Sequence, residues 1–114
     1  MNALGSMGIN LAERGQTARA EAAYREALAL ATRNKTIAPV AYEWIDYRLA
    51  GLLLDQRRFE EAEPLALRAL AIRDSANGQA DADTRQSMDQ VIKLYQGWGK
   101  PEWAAKYQRS PAPP

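Results

Sequence analysis

Small and apolar side chains recur every three or four residues along almost the whole chain, with polar residues between them. That period places each apolar set on one stripe of a helix. From Asn2 to Arg14 the stripe is Leu4, Met7, Gly8 and Leu11, and Gly15 stops it. A second helix, about Ala18 to Arg33 with Thr17 as its cap, carries Ala20, Ala23, Tyr24, Ala27, Leu28 and Ala31. So short a connection makes the two helices antiparallel, and the small residues Gly8, Ala20 and Ala27 let their backbones approach closely.

Asn34 to Pro39 breaks the pattern, with Pro39 placed where a new helix tolerates a missing N–H. From Val40 to Asp55 the apolar residues run nearly all the way round, which predicts a helix with neighbours on several sides. Gln56, Arg57 and Arg58 turn the chain into a fourth helix, about Phe59 to Asp74. Pro64 removes a donor to Glu60 there and predicts a small local bend. Asn77 and Gly78 end that helix, and Asp83 with Gln86 three residues on reads as a capping box for a fifth, running to about Trp98. Gly99, Lys100 and Pro101 turn into a short sixth helix, Glu102 to about Arg109, which the proline-rich tail 110–114 cannot continue.

A longer period lies over the helical one. Leu11, Leu53 and Tyr95 are spaced 42 residues apart, as are Ala20, Ala62 and Ala104. Glu21 with Glu63, Ala27 with Ala69 and Leu28 with Leu70 keep the same interval. The chain therefore reads as a single all-α array of six helices in three antiparallel pairs, with units of about 1–38, 39–80 and 81–109.

Composition narrows the function classes. Among 114 residues there is no Cys and no His, so disulfides, thiolate nucleophiles, imidazole bases and the usual zinc ligand sets are absent. Fifteen basic residues face fourteen acidic ones, and no block of like charge forms, which argues against a nucleic-acid partner. No apolar run approaches a membrane span and the first residues lack the regions of a signal peptide, so the expected location is cytoplasmic.

The pattern inside the period points to a family. Leu11, Gly15, Ala20, Tyr24 and Ala27, then Leu49, Ala50, Leu53, Phe59, Ala62 and Ala69, resemble tetratricopeptide repeats, which place a small residue at each close helix contact. The string from Arg58 to Leu65, with Arg68 to Arg73 after it, resembles the longer repeats of the kinesin light chain type that are widespread in bacterial proteins. Leu94 to Tyr107 is similar to the terminal repeat that closes such arrays in large bacterial proteins. The resemblance implies a right-handed α-solenoid whose concave groove binds protein segments. Family members often carry paired asparagines in the first helix of each repeat; the matching positions here are Gly5 and Ser6, Tyr47 and Arg48, Asp89 and Gln90, so that device does not carry over.

Stacked helix pairs curve and expose the first helix of each as a groove. On the third helix Trp44, Tyr47, Gly51 and Leu54 form one stripe, which reads either as an aromatic floor for a bound segment or as packing against neighbouring helices. Gln86, Asp89, Lys93 and Gln96 form the corresponding stripe of the fifth helix, read either as polar groups for a ligand or as a solvated face. Arg48 with Lys93 is a weak version of the carboxylate clamp of some family members. Trp98 and Trp103 flank the last turn and are expected to close the end of the core.

The favoured function is a non-enzymatic module that binds a protein or peptide segment in this groove, with no cofactor and no membrane. The alternative is structural. Leu4, Ile9 and Leu11 lie on a first helix with no polar capping helix before it, so the chain is expected either to be cut from a longer repeat protein or to form a homodimer through that helix.

Overall fold

The computed structural model describes residues 2–108. Six α-helices follow in order: α1 (Asn2–Glu13), α2 (Thr17–Arg33), α3 (Glu43–Asp55), α4 (Phe59–Asn77), α5 (Ala82–Gly97) and α6 (Pro101–Gln108). Among the described residues there is no strand. None of these helices is long and apolar enough to cross a membrane. The architecture is the all-α helical repeat that the two superposed periods predict.

Each helix packs on its successor, α1 on α2, α3 on α4 and α5 on α6, while α2 with α3 and α4 with α5 join one pair to the next. Helix α3 also touches both α1 and α5, so the three first helices lie side by side. The small residues of the long period sit at the tightest points: Ala20, Ala62 and Ala104 are 0%, 1% and 1% exposed. Around them Tyr24, Ile45, Leu49, Leu53, Val91 and Leu94 are fully buried. Gly8 serves the same end on α1, where a Cβ would come within 2.7 Å of Tyr24 Cε1.

Turn geometry repeats as well. Gly15, Arg57 and Gly99 lie 42 residues apart, and all three have left-handed backbone, with φ of 76°, 60° and 78°. Each follows the first helix of its pair, where the chain must reverse within three residues. Glycine adopts this conformation freely and arginine does not.

Local details differ from the sequence expectations at the helix starts. Gln16, not Thr17, occupies the cap position of α2, and no side chain caps it. The segment after Pro39 opens as a 3-10 turn, Pro39–Ala41, in which the Tyr42 N–H donates to the Pro39 carbonyl at 3.1 Å; Tyr42 itself has φ −131°, and the α-helix begins only at Glu43. A ring-locked φ and a missing donor favour that tight first turn. Helix α5 starts one residue before Asp83, because the Asp81 carboxylate accepts from the Asp83 N–H at 2.9 Å and takes the capping role. Helix α4 continues through Pro64 and runs three residues past Asp74, to Asn77, before Gly78 at φ 83° ends it.

Polar side chains tie the pairs together. Glu21 of α2 accepts from Arg58 at 2.5 and 3.1 Å, and Arg58 also holds Glu61 at 2.6 Å. One unit later Glu63 of α4 accepts from the Tyr95 hydroxyl at 2.7 Å. The equivalent glutamates Glu21 and Glu63 thus each reach into the following unit. At the far end Tyr95 stacks with Trp98 and Tyr107 and meets Trp103 edge-on, and Lys100 Nζ lies 3.8 and 4.0 Å from the Trp98 and Trp103 ring centres. Burial and the Glu63 contact push the Tyr95 hydroxyl pKa up.

Candidate functional site

Helix α3 supplies one wall of a depression on the face shared with α5. Tyr47, Gly51, Leu54 and Asp55 follow one another at helical spacing and so line up along that wall. Gln86, Asp89, Gln90 and Lys93 of α5 form the other. The space between them is about 390 Å³. A neighbouring depression of about 240 Å³ is lined by Ala12, Tyr24, Arg48 and Leu52, and shares Tyr47, Gly51, Asp55 and Gln90 with the first. Burial holds the Tyr24 hydroxyl above its ordinary pKa there, with Arg48 pulling the other way.

Gln90 joins the two depressions. Gly51 lies beside its carboxamide, and a Cβ there would sit in ordinary contact, 3.4 Å from Gln90 Nε2. That nitrogen donates to the Tyr47 carbonyl at 2.9 Å. Gln90 is only 7% exposed, and its Oε1 is buried without a donor among the described residues. An unmet acceptor of this kind costs about 1–3 kcal/mol.

Tyr47 is itself held from behind. The Arg73 guanidinium of α4 lies 4.5 Å from its ring centre. Arg73 is buried and donates to Glu43 Oε2 at 2.7 Å, Ser87 Oγ at 2.9 Å and the Asp83 carbonyl at 3.1 Å, so one cation fastens α3, α4 and α5. Buried charge is tolerated where such partners surround it.

The residues singled out from sequence fall into three groups. Tyr47, Leu54, Gln86, Asp89 and Lys93 lie together on the main depression, and Arg48 lines the neighbouring one. Gln96 is exposed on the last turn of α5, outside both linings. Trp44 is half-buried against Gly5 of α1, where its ring fills the space a Cβ would need, so it belongs to helix packing and not to the groove floor. Asp55 and Gln90 were not singled out as groove residues, although each sits four residues beyond one that was, Asp55 after Gly51 and Gln90 after Gln86. Helical spacing alone would have found them.

The three α1 residues expected to self-associate also separate. Leu11 is 7% exposed and lies in the core, so it offers no free surface, while Leu4 and Ile9 are partly covered. Among the described residues the exposed large apolar side chain of α1 is Met7, at 46%.

Comparison with known proteins agrees with the helical repeat. The tetratricopeptide repeat profile matches residues 1–34 and 48–83, which takes in most of the first two helix pairs. No curated protein matches the chain. With the family profile spanning more than half its length, this chain belongs to the tetratricopeptide repeat family, whose repeats are generally protein-interaction modules.

Proposed function

We propose that the chain is a non-enzymatic scaffold of the longer, kinesin-light-chain-like repeat type, and that it holds an extended segment of a protein partner in the depression between α3 and α5. One observation carries this reading: Tyr47, Leu54, Gln86, Asp89 and Lys93, from two helices, converge on a single depression. The exposed polar side chains of Gln86, Asp89 and Lys93 can bond a peptide backbone, and Leu54 with the Tyr47 ring gives apolar contact beside them.

The test is a displayed random-peptide library selected against the wild-type chain, followed by binding to Gln86→Trp. Gln86 is exposed on α5, so the indole plugs the depression without entering the core. Peptides that bind the wild type should lose affinity for the plugged variant while its helical circular dichroism is unchanged. A library that enriches nothing, or peptides indifferent to the plug, would overturn the groove.

A second reading, pairing of α1 with its own copy, rests on Met7 standing exposed on the helix that also carries the partly covered Leu4 and Ile9. Light scattering decides it: a dimer that becomes a monomer on Ile9→Glu supports the pairing, and a wild-type monomer at high concentration removes it.

A further inference from the structure

The three helix pairs are not joined with equal strength. Among the described residues, every side-chain hydrogen bond from the α1–α2 pair to the rest of the chain runs through one cluster, Glu21 and Arg25 with Arg58 and Glu61. That cluster lies towards the surface: the Arg25 and Glu61 side chains are 46% and 49% exposed and that of Arg58 is 33% exposed. The next junction is tied at four separate points. Arg57 donates to the Gly97 carbonyl, Arg73 to Ser87 Oγ and the Asp83 carbonyl, Gln90 to the Tyr47 carbonyl, and the Tyr95 hydroxyl to Glu63. Arg73, Gln90 and Tyr95 are all buried. Exposed ion pairs are screened and contribute little, whereas buried polar bonds are costly to break.

Helix α1 is also weak in itself. Gly5 and Gly8 stand inside a helix of 12 residues that has no acidic side chain in its first turn and no basic one in its last. Helix α2 starts without a side-chain cap. Helices so short and so little favoured locally stand mainly by packing. One flank of α1 is open: Met7 is 46% exposed, where its counterparts one and two periods on, Leu49 and Val91, are fully buried. Helix α6 is shorter still, but its Trp103 and Tyr107 rings pack on Tyr95.

We propose that the α1–α2 pair is a releasable arm, which unfolds as one cooperative unit while α3 to α6 stays folded, with the cluster of Glu21, Arg25, Arg58 and Glu61 as its latch. Gly8 of α1 packs on Tyr24 of α2, so neither helix keeps its core once the other leaves. Opening takes Ala12 and Tyr24 away from the smaller depression and lifts Gly5 off the Trp44 ring. The depression between α3 and α5 keeps its whole lining. The arm therefore governs the smaller depression alone, and it stands or falls independently of the peptide groove.

Native-state hydrogen exchange of the full chain, in urea concentrations below the unfolding transition, tests this. The slowest amides of α1 and α2 should merge into one opening, several-fold faster than that of α3 and α5 and less dependent on urea, because less surface is exposed. Val91→Ala, in the core of α5, should speed exchange in α3 and α5 and not in α1 and α2, because the form with the arm open carries the same loss. Should Val91→Ala fail to fold, the wild-type urea dependence decides by itself. Arg58→Gln should speed exchange throughout α1 and α2 about fivefold, the upper range for an exposed pair. One opening shared by all six helices, α5 opening before α1, or a Val91→Ala effect that spreads equally to α1 and α2 would each overturn the arm. Exchange in α1 and α2 that is unchanged by Arg58→Gln would overturn the latch.

Discussion

The benzo edge of the Trp44 indole occupies the space above Gly5 where any other residue would carry its Cβ. Helices α1 and α3 meet through that contact, which spans the first two helix pairs. Gly5→Ala should therefore push the ring off its seat, an overpacking that costs about 1–3 kcal/mol. Urea denaturation of the variant measures it, and an unchanged midpoint would mean the indole moves aside freely. Trp44→Ala should lower stability as well, because it removes the ring that fills this junction.

How much of this was legible beforehand depended on whether a residue's role is set by spacing or by its neighbours. Ala20, Ala62 and Ala104 are small, keep one interval and are buried, so period and packing agree. Trp44 lies on the stripe of Tyr47 and Leu54, yet its fate depends on a glycine 39 positions earlier, which no local period reveals. Caps fall one or two residues earlier than side-chain type implies: Gln16 holds the cap position without a side-chain bond, and Asp81 caps α5 in place of Asp83. Charged residues were the least readable. Arg73 is buried at the position equivalent to Ala31, and Asp46 is wholly buried at the position equivalent to Leu4, so the long period argues for small or apolar residues at both. Their partners, Glu43, Ser87 and Arg68, come from other helices.

Arg57 stands where its two counterparts are glycine. Its guanidinium lies 5.3 Å from the Phe59 ring centre and donates to the Gly97 carbonyl at 3.4 Å, contacts that offset part of the backbone cost. Deleting the side chain in two ways separates these terms. Arg57→Ala and Arg57→Gly lose the same contacts, but only glycine relieves the left-handed conformation, so Arg57→Gly should be the more stable by about 1 kcal/mol. Equal thermal midpoints would show that the backbone at this turn relaxes once the guanidinium is gone.

Acid should loosen the junction between the first two pairs. The Arg58 guanidinium beside Glu21, helped by Arg25 and opposed by burial, holds the Glu21 carboxyl below its ordinary 4.5. The folded chain then binds this proton less tightly than the unfolded one, so the stabilisation is whole above pH 4.5 and is lost as pH falls through the lower folded value. Glu61 shifts the same way through Arg58 but lies open to solvent, where salt screens it. Comparing the wild type with Arg58→Gln isolates the effect: the variant should lose stability less steeply on acidification below pH 4.5. Parallel acid profiles for the two chains would show that the pair contributes nothing.

Asp46 and Arg68 form the most asymmetric pair in the fold, and the asymmetry predicts which half matters. The Asp46 carboxylate is wholly buried, whereas the Arg68 side chain is 45% exposed; the guanidinium reaches in with two bonds of 2.8 and 2.5 Å. Asp46 in turn pushes the Arg68 pKa up. Removing the aspartate leaves an arginine that swings into water, so Asp46→Ala forfeits the pair and some packing but strands no charge. Removing the arginine leaves a carboxylate in the core with no cation, which costs about 3–5 kcal/mol. Arg68→Met should therefore be the more destabilising of the two. Urea denaturation of both variants at neutral pH checks the order. Should Asp46→Ala prove the worse variant at neutral pH, the stability at this position comes from how the aspartate packs between α3 and α4 and not from the charge that Arg68 neutralises.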